Sequence, residues 1–213
     1  RVDAPYTAST PVLAATNRRV DQINGAMMAG LPGPEVRVDA MWGGEWPRNL
    51  DPAPRSLALR PGARVMTLAN DPDGLWANGT LGTLEGFDSD DVGVEVSIGR
   101  HRWPMVRNRL VDGRVEPVEV GTYIQLPLRP AWAVTIHKSQ GRTLDRMRLE
   151  LPAWPLPADG QAYVALSRVR TLEGLSLNRP LEAADVHASR DAVAFMARCR
   201  AGLPSPETQG SLF

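Results

Sequence analysis

Lys138 is the only lysine among the 24 basic side chains of this 213-residue chain. Where arginine fills every other such position, a retained lysine marks a place for a compact, freely rotating ammonium that a planar guanidinium does not replace. Residues 135–141 read T-I-H-K-S-Q-G, so His137, Lys138, Ser139 and Gln140 form a polar run closed by Gly141, directly after an apolar stretch. That pattern predicts a loop leaving a packed element and offering donors to an anion. The plain alternative is a chance surface lysine.

A second stretch, residues 161–170, reads Q-A-Y-V-A-L-S-R-V-R. At helical spacing Ala162, Leu166 and Val169 share a face with Tyr163 beside them, and Arg168 falls at the helix end. An arginine placed there can neutralise charge building on a transferring γ-phosphate. Its plainer role is to compensate the helix C-terminal dipole. A third stretch, with Arg100, His101, Arg102, Trp103, Arg107 and Arg109, is basic with an aromatic inside it. It suits phosphate contact and base stacking, or else a solvated arginine-rich hairpin.

These residues need elements to hold them. Residues 12–15 predict a short strand, Thr16 and Asn17 a helix cap, and Val20, Ile23 and Met27 a helix stopped by Gly30 and Pro32. Residues 36–41 alternate like a strand, and 42–55 are turn-rich and read as irregular. From Gly62 the texture changes to five short strand-like runs, 64–69, 80–87, 92–98, 101–106 and 114–120, separated by turn signals such as Asp73-Gly74 and Asp112-Gly113. Five strands in so short a span predict a small antiparallel barrel. After Gly121 strands are expected at 122–126, 147–151 and 175–178, with helices at 158–169 and 190–200. The fold expected is α/β with an all-β insertion: residues 1–61 and 122–200 as one domain, 62–121 inserted, and 201–213 as a flexible tail. Trp42, Trp46, Trp132 and Trp154 read as packing residues.

Composition excludes several functions. Hydrophobic content of 43% and charged content of 23% are ordinary for a globular protein, and zero net charge makes any nucleic-acid contact local rather than global. Cys199 is the sole cysteine, which rules out an internal disulfide. The three histidines, 101, 137 and 187, show no metal-ligand spacing, so no metal site is expected. No apolar run suits a membrane span. No serine sits in G-x-S-x-G. The P-loop signature G-x-x-x-x-G-K-[ST] does not occur either, so a nucleotide site here would be partial. The chain opens R-V-D-A-P with no starting methionine, and we expect it to be a segment of a longer polypeptide.

The run T-I-H-K-S-Q-G-R-T-L-D, followed by Y-V-A-L-S-R-V-R, resembles motifs V and VI of superfamily 1 DNA helicases, in the RecD and Pif branch that moves 5′ to 3′ on single strands. G-A-R-V-M-T-L-A-N-D with W-A-N-G-T-L-G-T-L, in residues 62–84, is similar to that branch's SH3-like barrel, inserted in the second RecA-like motor domain. A-T-N-R with Val20, Asp21 and Asn24 resembles the weaker motif IV.

The resemblance implies a RecA-like, P-loop-NTPase-type second motor domain carrying an inserted SH3-like barrel. It implies the C-terminal half of an ATP-dependent 5′-to-3′ DNA helicase, inactive alone. Arg168 would be the arginine finger and Arg18 a second γ-phosphate contact. Gln140 and Gly141 would lie near the nucleotide, and Thr135, His137, Lys138 and Ser139 against DNA, joined by Arg102 and Trp103. ATP with Mg²⁺ is the implied cofactor, the metal held mainly by the absent P-loop domain. The implied partners are single-stranded DNA and that domain. The implied setting is bacterial, cytoplasmic and nucleoid-associated, in DNA repair or recombination. The runner-up readings are the helicase half of a conjugative relaxase and a non-motor DNA-binding module. Residues 209–213, Q-G-S-L-F, resemble a sliding-clamp-binding peptide, with Gln209 at a rim and Leu212 and Phe213 as apolar anchors. Gly210 departs from the leucine usual there.

Overall fold

Short apolar runs at the two ends of the chain pair in parallel, whereas those between them pair antiparallel. The computed structural model describes residues 7, 9–88, 93–94 and 98–201. In chain order the strands are β1 (Val12–Ala14), β2 (Val36–Asp39), β3 (Met41–Gly44), β4 (Ser56–Leu59), β5 (Arg64–Thr67), β6 (Leu81–Thr83), β7 (Phe87–Asp88), β8 (Gly93–Val94), β9 (His101–Val111), β10 (Arg114–Gln125), β11 (Leu128–Pro130), β12 (Ala133–Thr135), β13 (Met147–Glu150) and β14 (Leu175–Leu177). The helices are α1 (Asn17–Ala29), α2 (Gln161–Leu166) and α3 (Arg190–Arg200). They fall into two compact units, one built from residues up to Val20 and from Val134 onward, the other spanning Asp21–Ala133.

The first unit carries a four-stranded sheet in the order β12-β1-β13-β14. Its parallel neighbours are in register at Leu13 and Leu149, and at Leu149 and Leu177. Every residue of β1 and β13 is buried, as expected of parallel strands covered on both faces. That burial explains why β13 reads as a strand although it carries Arg148 and Glu150: the two are ion-paired to each other inside the sheet. Thr16 caps the chain's turn into α1 by accepting a hydrogen bond from Arg19 N. The second helix is shorter than the 158–169 expected. Gly160 precedes it with φ 70, a left-handed conformation that ends any helical path from upstream. No residue of α3 is buried.

In the second unit every described strand pair is antiparallel. Its sheets are β3-β10-β9, β11-β5-β6 and the pairs β2-β4 and β7-β8. The segment 62–121 lies within this unit, and its sheets take β3 and β11 from outside that segment. One apolar cluster joins Met28 to Val38, Leu57, Leu59, Val65, Leu84, Leu126, Leu128 and Trp132. Another gathers Trp46 and Trp103 around fully buried Tyr123.

Two expectations change here. Residues 41–44, of which 42–44 read as irregular, form β3 along β10. The runs 114–120 and 122–126, read as separate strands, are one strand with a bulge between Glu119 and Gly121. A Cβ at Gly121 would meet the Glu45 and Gly43 backbones at 3.1–3.2 Å, so a larger residue there would push β3 away by a few tenths of an ångström.

Candidate nucleotide and nucleic-acid interface

The turn after β12 is held from inside by its own polar side chains. Ile136 is fully buried and its N–H donates to Ala14 O, anchoring the turn on β1. The Ile136 carbonyl then accepts twice, from Ser139 N at 3.1 Å and from the Ser139 hydroxyl at 2.6 Å. Thr135 Oγ1 accepts from Lys138 N at 3.3 Å. Ser139 is only 1% exposed, so its hydroxyl serves the turn rather than an outside ligand. Thr135 likewise spends its oxygen on the turn. His137, Lys138, Gln140 and Gly141 are exposed. The polar run therefore divides: Thr135 and Ser139 build the loop, and the other four face outward. In the one-turn 3-10 segment at His137–Ser139, Ser139 falls three positions after fully buried Ile136 and shares its inward face.

The segment just after this turn, Arg142–Leu144, is bonded to the end of α2. Leu144 N donates to Arg168 O at 2.7 Å, and Arg170 N returns a bond to Leu144 O at 3.0 Å. The Arg168 guanidinium adds a third link, Nη1 to Arg142 O at 3.2 Å. Its Nε donates to Val164 O at 3.1 Å and its Nη2 to Ser167 Oγ at 2.9 Å. In this conformation Arg168 caps the last turn of α2, the plainer of the two roles expected of it. An arginine has five N–H donors. These three bonds leave two to reach a ligand. Ala162 and Ala165 face inward from α2, and Tyr163, beside the apolar face, is 76% exposed.

At the start of α1 the adjacent arginines have different surroundings. Arg19 Nε and Nη2 both donate to Glu150 Oε1, and Glu150 is 4% exposed. Arg18 is exposed one position earlier. Nothing in the sequence spacing marked Glu150 as the partner, because it lies 131 residues away.

The basic run on β9 does not form one patch. Side chains on a strand alternate between faces, which puts Arg102 and Trp103 on opposite sides of the sheet. Arg102 is engaged by Glu119 and by Thr122 Oγ1. The hydroxyl of Thr122, and then Arg102, hold the Glu119 carboxyl below its ordinary pKa. Trp103 lies edge-on to Tyr123 at 6.1 Å and to His101 at 4.5 Å, packed within the aromatic cluster. Arg107 and Arg109 both pair with Glu45. Trp132 and Trp46 pack as expected, whereas Trp154 and Trp42, read as packing residues, are 60% and 50% exposed, Trp42 laying one ring face on Tyr123. Gln209, Leu212 and Phe213 lie outside the described residues.

One polar network near α2 had no sequence signal. Asp185, 1% exposed, accepts from Arg179 Nη1 and Nη2 at 2.8 Å each and from Glu182 N at 3.0 Å. The Arg179 pair, with backbone N–H groups, holds the Asp185 carboxyl down at about 2. A carboxyl depressed in the folded state stabilises the fold above its ordinary pKa of 3.8, and that contribution is lost as pH falls through about 2. Asp185→Asn is expected to lower stability at neutral pH and to flatten the acid limb of a urea-midpoint titration. An acid limb of unchanged slope would show that other carboxyls set it.

No family model matches this chain. It is 35% identical over 162 residues to the ATP-dependent DNA helicase Pif1 of Bdellovibrio bacteriovorus, covering 74% of this chain and 36% of that protein. It is 37% identical over 167 residues to human ATP-dependent DNA helicase PIF1, covering 71% and 24%. The chain thus spans between a fifth and just over a third of the length of these curated relatives. The structure of Bacteroides sp Pif1 bound to single-stranded DNA superposes with a TM-score of 0.76 at 29% identity, covering 95% of this chain and 48% of that one. The unliganded Bacteroides protein gives the same score over 93% and 47%. On this likeness in sequence and fold, the chain belongs to the Pif1 helicases of superfamily 1.

Proposed function

We propose that the chain is the C-terminal motor half of an ATP-dependent helicase that moves 5′ to 3′ on single-stranded DNA. The observation that carries this is the bonding of Arg142 and Leu144, the chain directly after the exposed 137–141 turn, to Arg168 and its neighbours. A motor must convert a change at the phosphate into a displacement at the strand, and two short segments sharing three hydrogen bonds move together. On this reading His137 and Lys138 hold the DNA backbone, Gln140 and Gly141 lie toward the nucleotide, and Arg168 meets the γ-phosphate with the two donors its cap leaves over. Arg18 is the lesser phosphate contact, its neighbour Arg19 being committed to Glu150.

This chain fits only part of a nucleotide site. It offers cations and amide donors but no P-loop lysine. When bound, ATP with Mg²⁺ supplies the phosphoryl group and its charge neutralisation, held mainly by an N-terminal P-loop domain. This chain's part is to orient the γ-phosphate and to grip the strand; alone it should not turn over ATP. The strands within 62–121 are the SH3-like insertion on this reading, with Arg102 as their DNA contact. Trp103 would contribute by packing. Gln209, Leu212 and Phe213 would form the clamp contact, an inference from sequence alone. The proposed setting is the bacterial cytoplasm, on the nucleoid, in repair or recombination.

The grip is tested by Lys138→Ala in a single-strand binding titration across salt concentrations. A lost phosphate contact weakens binding to all sequences alike and reduces the slope of log K against log salt by about 1. An unchanged slope removes Lys138 from the DNA track.

A further inference from the structure

Arg168 is delivered by a helix of only six residues whose N-cap, Gly160, has no side chain to close it. Something else must fix where that helix starts. The loop before it is gripped by His187 instead. Nδ1 of His187 lies 2.7 Å from Asp159 Oδ1 and Nε2 lies 2.8 Å from Leu156 O, while the His187 carbonyl accepts from Gly160 N at 2.9 Å. Three bonds from one residue thus hold both ends of the 156–160 loop. Leu156, 2% exposed, anchors its near end.

We propose that His187 is a positioning residue for Arg168, acting through the 156–160 loop and the rigid turn and a half of α2. The inference rests on the motor reading given above. Both ring nitrogens face oxygens that only accept, one a carboxylate and one a carbonyl. An imidazole satisfies both only when each nitrogen bears a hydrogen, that is, as the imidazolium. The charged groups acting on the ring are Asp159 in the loop and Asp185, the latter already paired with Arg179. The Asp159 hydrogen bond, and then the Leu156 carbonyl, raise the His187 pKa above its ordinary value. A raised histidine pKa stabilises the clamped loop fully below the ordinary value, and that contribution is lost as pH rises through the folded-state pKa. Above that point one nitrogen becomes an acceptor facing an acceptor, and one of the two ring bonds breaks.

A loosened loop leaves α2 intact but lets its start wander, so Arg168 meets the phosphate less often in the productive pose. Misplacing a catalytic group by about 1 Å costs up to about a hundredfold in turnover. The binding of substrate is spared, because the arginine's contribution is made in the transition state.

The test uses the complete helicase polypeptide and single-strand-stimulated ATPase followed against pH, with the His187 ring titrated by ¹⁵N-histidine spectra. His187→Gln is expected to lower kcat about 10- to 100-fold with KM for ATP and DNA affinity unchanged. Asp159→Asn should act in the same direction and carries the test if the first variant folds poorly. Wild-type kcat should decline as pH rises through the titration seen in the ring spectra, and His187→Gln should lack that decline. Unchanged kcat in both variants, or an alkaline decline that persists without the histidine, overturns the inference while Arg168→Ala still collapses the rate. If Arg168→Ala has no effect either, the motor reading falls and takes the inference with it.

Discussion

Replacing Arg168 with alanine in the complete helicase is expected to lower single-strand-stimulated ATP turnover about a thousandfold, equivalent to about 4 kcal/mol of transition-state stabilisation. DNA affinity should be retained, since the exposed His137 and Lys138 are untouched. The chemistry explains the size of the effect. In phosphoryl transfer the protein contributes placement and charge, and a guanidinium aimed at the γ-phosphate supplies both at once. The folded-back geometry adds a condition. Arg168 spends three donors on Val164, Arg142 and Ser167, so on the proposed reading it would meet phosphate as an already oriented fork rather than a flexible arm. Arg168→Lys keeps the charge but loses the fork, and should recover only a small part of the rate. A rate in Arg168→Ala within a factor of three of wild type would make the residue a helix cap and nothing more.

The largest effect on stability is expected at Tyr123, which is fully buried at the centre of the second unit's aromatic cluster. Its ring stacks on Trp42 at 6.5 Å and an interplanar angle of 19°, meets Trp46 at 5.4 Å, and takes the edge of Trp103 at 6.1 Å. Its hydroxyl donates to Ala53 O at 2.8 Å. Tyr123→Ala removes the ring that three tryptophans share and should cost about 3–5 kcal/mol, as large aromatic truncations in a core do. Tyr123→Phe keeps the ring but strips the Ala53 carbonyl of its donor, which should cost about 1–3 kcal/mol. Urea unfolding followed by tryptophan fluorescence reports both values, because Trp42, Trp46 and Trp103 surround the site. Equal losses in the two variants would place the energy in the hydrogen bond, and a loss below about 1 kcal/mol in Tyr123→Ala would mean the cluster collapses into the gap.

The segments proposed to carry the chemistry are short and local in the sequence. The 135–141 turn and the 161–170 stretch are defined by residue type at close spacing, and the strands, cap and helix around them follow from local periodicity and backbone preference. β1, α1, β13, β14 and α3 begin and end close to the expected positions for the same reason. What the sequence did not determine was which side chains face outward and what they touch. Ser139 turned inward, Trp103 joined a core and Arg19 took Glu150, because each outcome depends on a partner supplied by another part of the fold. His187 carried no signal, its partners being 28 and 31 residues away on another loop. Local patterns encode which groups are present, and only tertiary packing decides which of them bond to the protein and which are left for a ligand.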